Sequence, residues 1–513
     1  MNLIKKFNKL EKYTKYSIFV IVLFSIIVLF LTSIYHVSGD GCWHIPAGKF
    51  IANNLKIPLF EPLGRDEPFW SPPVYHIIVA VVYYIFSAFN NNIANFAVKF
   101  VSSLFGILSL IFSFLVVKKL CNSRTAFYST IFLAFIPIVI DYSIFSYVES
   151  TLMFFVILSV YFLINGKFVL SGIAAGLSIL AKYNGVFIIP VLIYIMHRRF
   201  GKNKFYKNAL IIALLSLLIA APWLARNWIL LGNPIWPFLN FAFNGLESKS
   251  YAEVHLLNLA SPSLYASTYL GFFGVPDGNY NTFSFLRIPY LKVLLAIWLI
   301  GTFIFMIPLL IGFFNINKLR LCRKLENSKN SPKLKNANFM IVWILSYLVL
   351  FLLYAINVGS FVSRMVLPAF PAIAAFWAFG YEKLQGNKFR KLINLVFILV
   401  IIGFVFTEFA KIRLASNAWG FYKEDFEWAN ANTKSNAVFV ANGQCVPYNI
   451  ERTSLYANDE SLKKADYVWV NQNFALDKRS ILDEQSLKIV QAKNFNVVYS
   501  NKKTGTTIYS ARQ

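Results

Sequence analysis

Apolar runs long enough to enter a membrane dominate the chain and limit the folds open to it. Hydrophobic residues make up 57% of the 513 residues and charged residues only 14%, whereas soluble domains are about 45–50% apolar. A run of about 20 apolar residues spans a bilayer as a helix. The sequence therefore predicts an α-helical polytopic membrane protein and excludes a soluble enzyme with a single anchor. The runs lie at about 16–37, 94–117, 124–141, 148–164, 168–181, 184–196, 208–226, 289–314, 339–356, 363–380 and 392–410.

Short basic segments between these runs indicate the orientation of the chain. Residues 1–16 carry five lysines, and four later loops are also basic. Because basic loops stay in the cytoplasm, we expect a cytoplasmic N-terminus, with Asp40, after the first run, outside. These loops, which meet anionic lipid, also account for the net charge of +26, so we predict membrane lipids and no nucleic acid as partners. The four loops are 118–124, 197–207, 315–336 and 381–391.

One further apolar run, residues 74–89, decides the topology. If it crosses the membrane, the later basic loops are inverted; if it lies in the outer interface, or dips into the membrane and returns, all of them are cytoplasmic. We choose the second alternative, which gives a transmembrane domain over 1–410 with about 11 transmembrane helices plus outer interfacial helices. From 411 the apolar runs become short and alternating, as in NAVFVA and DYVWVN. Residues 411–513 are therefore predicted to form a small extracytoplasmic α/β domain.

Two acidic residues lie where apolar runs meet the outer face. Asp40 follows the first run in the stretch SGDGCWH, where it is a helix N-cap or a general base at the membrane surface, and the two roles are compatible. Glu149 lies at the outer start of a later run, where an ionisable residue is costly unless it caps the helix, pairs with another charge or has a functional role. We therefore predict both as catalytic candidates.

Three cations are also predicted at the outer ends of apolar runs. Lys182 precedes a break at Asn184-Gly185, Arg226 ends a run, and Arg364 precedes a proline-containing run. Snorkelling to lipid phosphate explains each one alone, but basic residues are disfavoured in short outer loops. The sequence has no Walker, Rossmann or HExxH motif. Carboxylates combined with cations therefore favour transfer from an anionic phosphate donor.

The segment FEPLGRDEPFWSPPVYH, residues 60–76, supplies further candidates. Its paired prolines favour an extended turn before an apolar helix, and its aromatic residues suit the interfacial belt. His76 is either a polar residue satisfied by protein partners or a ligand-binding group. The substrate-binding candidates in this segment and the first outer loop are His44, Asp66, Glu67, Tyr75 and His76.

In the order of these motifs, the chain resembles the GT-C class of polytopic glycosyltransferases. Within that class it resembles the protein mannosyltransferase and lipid A aminoarabinose transferase branch. The resemblance covers roughly residues 30–410, and members of the family commonly carry an additional outer domain. The stretches that carry it are GDGCWHIPAGKFI, WSPPVYHIIVA, LAKYNGVFIIP, PWLARNWILLGNPIWPF and SRMVLPAFPAIA.

The resemblance implies a role for each matched residue. Asp40 matches the catalytic base, Glu149 matches a second acidic position, and Lys182 and Arg364 match cations that hold the donor phosphate. The implied activity moves a hexosyl or pentosyl group from a polyprenyl-phosphate-linked donor to a protein, lipid or glycan acceptor, with inversion at the anomeric carbon. Arg226 is a third candidate for the phosphate.

Two departures from the family leave points open. Gly41 stands where the family has a second acid, and Ser71 where some relatives have lysine. Donor identity therefore stays open, as does metal dependence; no metal ligand is assigned, and a divalent cation is the only cofactor considered. The alternatives for the function are an oligosaccharide or polymer transferase of the same fold and a lipid-linked sugar transporter or flippase.

The cysteines leave one further alternative. Cys42 and Cys445 are both predicted outside, so they either form a disulfide or remain free thiols. Pairing needs Cα atoms within roughly 7 Å, and placement on one side of a membrane does not establish that distance. Free thiols are therefore the favoured expectation.

Overall fold

A computed structural model describes residues 10–63, 67–200, 202–246, 256–275, 289–325, 332–358, 363–441, 445–478 and 480–511. Helices dominate the chain up to residue 432, and a small sheet with short helices follows. The helices are α1 Lys12–Ile34, α2 Gly41–Asn54, α3 Val74–Ser87, α4 Asn91–Val98, α5 Phe100–Leu120, α6 Ser123–Phe135, α7 Pro137–Ile144, α8 Glu149–Ile164, α9 Phe168–Ala181, α10 Ile189–Arg199, α11 Lys202–Leu231, α12 Asn240–Phe243, α13 Pro262–Phe272, α14 Pro289–Leu325, α15 Pro332–Val358, α16 Phe370–Leu384, α17 Arg390–Gly420, α18 Lys423–Asn432, α19 Cys445–Ile450, α20 Asp459–Lys464, α21 Gln472–Leu476 and α22 Ile481–Ala492. Short 3₁₀ helices cover Tyr183–Ile188, Leu256–Ala260 and Ser363–Ala369.

The helical part is a multi-pass membrane domain, as predicted. Within the described ranges, seven helices are long and apolar enough to cross a membrane, and the pair α6 and α7 makes an eighth if the 62° bend between them is counted as a break in one span. Pro137 lies at this bend and begins α7, because its ring cannot continue the preceding helix. Three shorter apolar helices are α3, α8 and α9. The seven long spans are Lys12–Ile34, Asn91–Leu120, Phe205–Leu231, Val293–Phe314, Asn338–Ile356, Ser363–Leu384 and Arg390–Asn417.

Three of the basic segments predicted to be cytoplasmic meet at one end of the bundle. Lys118 donates a hydrogen bond to Thr14 Oγ1 over 2.8 Å and lies 3.4 Å from Glu11, which joins residues 118–124 to the N-terminal segment. Thr125 donates to Glu382 Oε1 over 2.6 Å, which adds the 381–391 loop. These contacts place three of the five segments on one side, which we call the basic side; the other end is the Asp40 side.

The helix α3 begins and ends on the Asp40 side. Lys99, just before α5, donates to the carbonyl of Ser33 near the end of α1, while the far ends of α1 and α5 meet on the basic side. The chain therefore leaves and re-enters the bundle on the same side between residues 35 and 99, which a single crossing by α3 would not allow. Its 14 residues also span only about 21 Å at 1.5 Å per residue. This geometry supports the prediction that residues 74–89 do not cross.

The C-terminal part contains a five-stranded mixed sheet, which agrees with the predicted α/β class. The strand order is β2-β1-β3-β5-β4, with β1 parallel to both neighbours and β5 antiparallel to both of its own. Helices cover both faces, so the central strand β3 is buried along most of its length. The strands are β1 Val438–Val440, β2 Thr453–Leu455, β3 Tyr467–Asn471, β4 Asn496–Asn501 and β5 Thr506–Ser510.

A disulfide joins the sheet domain to the Asp40 side of the bundle. Cys42, on α2, bonds Cys445, at the start of α19, with their Cα atoms 5.1 Å apart. The favoured expectation of free thiols is therefore wrong for this pair, because the fold brings together residues that are 403 positions apart. A salt bridge of 2.9 Å between Lys49 and Glu451 lies at the same junction. The helix α17 also connects the two parts and passes through the predicted boundary at 410.

Candidate functional site

Four charged side chains predicted from the sequence meet on the Asp40 side. Asp40 ends the loop after α1, Glu149 begins α8, Lys182 follows α9, and Arg364 lies in the 3₁₀ helix before α16. Arg364 Nη1 is 2.6 Å from Asp40 Oδ2 and 3.7 Å from Glu149 Oε1. Lys182 Nζ is 2.8 Å from the same Glu149 oxygen. We call these residues the four-charge cluster.

The four-charge cluster is open on one side and buried on the other. The Glu149 side chain is only 2% exposed, whereas those of Arg364, Lys182 and Asp40 are 17%, 20% and 37% exposed. Two cations balance two carboxylates, which buried charges require. Glu149 Oε2 is buried and has no hydrogen-bond partner among the described residues. Glu149 therefore holds the two cations from the buried side of the cluster. Asp40 and the two cations are accessible from the open side.

Asp40 is held as a carboxylate rather than as a helix cap. Burial acts to raise the pKa of Asp40, but nearby positive charge, chiefly the adjacent Arg364 guanidinium with Lys182, together with the hydrogen bond from Arg364, holds the pKa below its ordinary value. The Asp40 side chain makes no capping hydrogen bond at the start of α2. It is therefore ionised at neutral pH and directed to the cluster, as a general base needs to be.

Tyr147 fixes the loop that carries Asp40, and the sequence reasoning did not identify it. Its hydroxyl accepts a hydrogen bond of 3.0 Å from the backbone N–H of Asp40. Gly39 has a φ of 55°, and a Cβ there would lie 2.0 Å from the Tyr147 oxygen. Only glycine combines that backbone conformation with so close an approach. A tyrosine near an outer span end resembles an interfacial anchor, so the pattern gave no signal for this contact.

A buried pair of histidines lies beside the first outer loop. His44 Nδ1 is 2.9 Å from His76 Nε2, and His76 Nδ1 is 3.3 Å from the carbonyl of Pro72. Because a carbonyl only accepts, His76 donates from Nδ1 and His44 donates to His76. Burial lowers the pKa of His44 to about 3, so it is neutral. Tyr75 is also buried, with its hydroxyl 3.2 Å from Ser102 Oγ. These three substrate-binding candidates have protein partners.

The remaining predicted residues lie apart from the four-charge cluster or outside the described ranges. Arg226 donates to the carbonyls of Phe69 and Pro58 over 3.1 and 2.8 Å and lies 4.6 Å from the Trp223 ring centroid. It therefore holds the segments around Pro58 and Phe69 against α11. The backbone carbonyl of Glu67 accepts a hydrogen bond from the backbone N–H of Glu61, which joins these two segments. Asp66 lies outside the described residues.

A second buried charge cluster supports the segment that carries Tyr147. Lys411 on α17 pairs with Asp141 on α7 and lies 2.5 Å from Glu408, and it donates to the carbonyl of Gly274 over 3.1 Å. This cluster ties the end of α7 to α17 just before the loop that leads to Glu149. In the described part of the chain, no group of three or more His, Cys, Asp or Glu side chains is arranged to hold a metal ion.

Comparisons with known proteins agree with this architecture. The family model described as dolichyl-phosphate-mannose-protein mannosyltransferase matches residues 70–225, a range that includes Glu149 and Lys182. No curated protein sequence matches the chain.

Two solved structures show the same fold at low sequence identity. ArnT from Cupriavidus metallidurans, bound to undecaprenyl phosphate, matches with a TM-score of 0.61 and 11% identity over 97% of this chain and 98% of that one. The oligosaccharyltransferase AglB from Archaeoglobus fulgidus, in complex with an inhibitory peptide and a dolichol-phosphate, matches with a TM-score of 0.59 and 13% identity over 98% of this chain and 75% of that one. The chain therefore has the GT-C fold, and the predicted resemblance to the protein mannosyltransferase and aminoarabinose transferase branch of the GT-C glycosyltransferases is confirmed.

Proposed function

We propose that this protein is a membrane glycosyltransferase that moves a sugar from a polyprenyl-phosphate donor to an acceptor at the outer face. The observation that carries the proposal is the four-charge cluster, which places an ionised carboxylate 2.6 Å from a guanidinium on the open side of the site. The match to a mannosyltransferase family model and the lipid phosphates bound by two structures of the same fold support it. In this proposal residues 1–410 hold the catalytic residues and residues 411–513 form the extracytoplasmic domain.

The geometry supports a single displacement. The donor phosphate lies against Arg364 and Lys182, with the anomeric carbon facing Asp40. The acceptor oxygen or nitrogen forms a bond to the anomeric carbon while the bond from that carbon to the phosphate oxygen breaks, and the phosphate leaves with the electron pair. Asp40 takes the acceptor proton, and the two cations stabilise the charge on the departing phosphate. Attack opposite the leaving group inverts the anomeric centre.

Turnover of a labelled polyprenyl-phosphate sugar by purified Asp40→Asn tests this proposal. Asparagine keeps the size of the side chain but does not take a proton, so we expect turnover to fall by roughly 10²–10⁴-fold. Asp459→Asn, which changes a largely exposed aspartate in the sheet domain, is the matched control. Turnover by Asp40→Asn equal to the control would show that Asp40 is not the base.

An oligosaccharide transferase of the same fold is the second candidate, because the archaeal oligosaccharyltransferase matches with nearly the same TM-score as ArnT. Donors that carry one sugar or several distinguish the two candidates. A transporter or flippase is distinguished by the product: a transferase releases the lipid phosphate, whereas a transporter leaves the donor intact.

A further inference from the structure

A cleft of about 430 Å³ lies where the bundle meets the sheet domain, apart from the four-charge cluster. The end of α1 and residues 35–36 form one wall, the last turn of α17 and the helix α18 form the other, and Asn449 closes it. Cavities of about 300–1,000 Å³ hold small-molecule ligands. Both structural domains contribute to the cleft, so it exists only in the assembled protein.

The cleft combines aromatic rings with uncharged polar groups. The rings of Trp419 and His36 stack with their centroids 5.8 Å apart. His36 Nε2 is 3.0 Å from Asn449 Oδ1, and Asn430, which is exposed, donates to the Asn449 carbonyl over 3.2 Å. Tyr35 contributes a further ring to the lining. Aromatic side chains with amides beside them present apolar and hydrogen-bonding surface within one small volume.

The charges that line the cleft balance each other. Lys423 and Glu427 lie one turn apart on α18 and form an exposed ion pair of 3.5 Å. Burial lowers the pKa of His36, although its hydrogen bond with Asn449 opposes the shift, so the imidazole is neutral at pH 7. The charges of the residues that line the cleft therefore cancel, and Lys99 acts on His36 from outside this lining. The lining suits a neutral ligand that has both hydroxyl groups and apolar C–H faces.

We infer that this cleft binds a neutral saccharide. The apolar face of a sugar ring lies against the aromatic wall that includes Trp419, and its hydroxyl groups reach Asn430, Asn449 and Glu427. Such a ligand lies beside the catalytic loop, because the Tyr35 hydroxyl, 2.9 Å from Ser38 Oγ, also accepts from the Ser38 backbone N–H, two residues before Asp40. The cleft is then a subsite for a glycan acceptor; that role rests on the proposed function, whereas the binding does not.

Binding of neutral trisaccharides of glucose, mannose and N-acetylglucosamine to the full chain tests the inference. The protein is kept in a zwitterionic detergent without a sugar headgroup, because maltosides would compete, and binding is measured by calorimetry. We expect saturable binding of at least one trisaccharide, with Kd raised at least tenfold in Asn430→Ala and Trp419→Leu. Asn432→Ala removes an exposed asparagine of the same helix, whose side chain donates to the backbone carbonyl of Trp428 in that helix, so its Kd should equal that of the wild type.

Three further measurements distinguish a site for a soluble glycan from an anion site or a lipid-headgroup site. Inorganic phosphate should not displace the trisaccharide, and displacement would identify an anion site instead. A short-chain glycolipid that binds while free trisaccharides do not would assign the cleft to a lipid headgroup rather than to a soluble glycan. Asp40→Asn should lose turnover but keep trisaccharide binding. The binding result can therefore be interpreted even if the proposed transferase activity is not found. No saturable saccharide binding, or equal binding by Asn430→Ala and Asn432→Ala, would overturn the inference.

Discussion

At the scale of the residue, Arg364 has the central position in the four-charge cluster because it contacts both carboxylates. Arginine can offer a phosphate two parallel hydrogen bonds, whereas lysine offers a point charge. We expect Arg364→Ala to lower turnover by roughly 10²-fold or more. Arg364→Lys should fall between that variant and the wild type, and Lys182→Ala should weaken donor binding. Donor affinity and turnover, measured in one detergent, check these expectations.

Arg413→Ala is the control for this series, because Arg413 is an exposed arginine on α17, near its Asp40-side end. It should bind donor and turn it over like the wild type. If Arg364→Ala and Lys182→Ala behave like Arg413→Ala, the two cations only pair with Asp40 and Glu149, and the donor phosphate binds elsewhere.

Tyr147 acts on the reaction through Asp40. Tyr147→Phe keeps the ring and removes only the hydroxyl that accepts the Asp40 N–H. A neutral hydrogen bond contributes about 0.5–1.5 kcal/mol, so we expect kcat to fall by about two- to tenfold while donor KM stays unchanged, because the cations are untouched. Steady-state kinetics check this split. Tyr206→Phe, at an exposed position on α11, should leave both constants unchanged; a rise in donor KM alone for Tyr147→Phe would contradict the positioning role.

At the scale of the element, α14 and α16 pack closely enough for their backbones to approach. A Cβ on Gly380 would lie 1.8 Å from the carbonyl oxygen of Pro308, and one on Gly312 would lie 2.0 Å from the carbonyl of Phe376. Small residues permit this approach between membrane helices. The ring of Trp377 fills the adjacent space and donates its Nε1–H to Phe305 across the same interface. This pairing fixes α16, which follows the 3₁₀ helix that carries Arg364.

Gly380→Val should therefore separate the two helices. The added side chain meets backbone atoms, which do not give way as a flexible side chain would, and overpacking costs about 1–3 kcal/mol. We expect a lower apparent Tm in detergent and lower turnover, because Arg364 shifts with α16. Gly403→Val is the control, since a Cβ on Gly403 in α17 has nothing within 4 Å. Equal apparent Tm values for the two variants would mean that close packing at Gly380 does not stabilise the bundle.

At the scale of the whole molecule, the sequence predicted the membrane class, the sheet domain and the members of the four-charge cluster. It did so because apolar runs and basic loops place charges on one side of a membrane, and Asp40, Glu149, Lys182 and Arg364 share that side. It did not predict contacts that depend on distance within that side. Arg226 shares the predicted side but binds the carbonyls of Pro58 and Phe69, and the disulfide of Cys42 depends on how the sheet domain lies against α2.

The orientation of the whole molecule in the membrane is a further prediction. The three basic segments joined on one side predict that this side is cytoplasmic, so the Asp40 side and the sheet domain should face outward. Cys121, between α5 and α6 on the basic side, is partly buried and lies outside the disulfide. In a background that has only this thiol besides the disulfide, a membrane-impermeant maleimide should label Cys121 only after permeabilisation.

The opposite side is tested with Asn92→Cys and Asn432→Cys in a background without Cys121 and Cys322. Both asparagines are exposed. Position 92 lies in the first turn of α4, the next helix after α3, so it reports whether α3 crosses. Both thiols should react in intact cells. Labelling of position 92 only from inside would turn α3 into a span, and labelling of position 432 only from inside would invert the molecule. In that inverted case the four-charge cluster would face the cytoplasm, and the donor would have to present its sugar on that side. Labelling from outside at both positions places the ionised Asp40 where a lipid-anchored donor exposes its scissile bond.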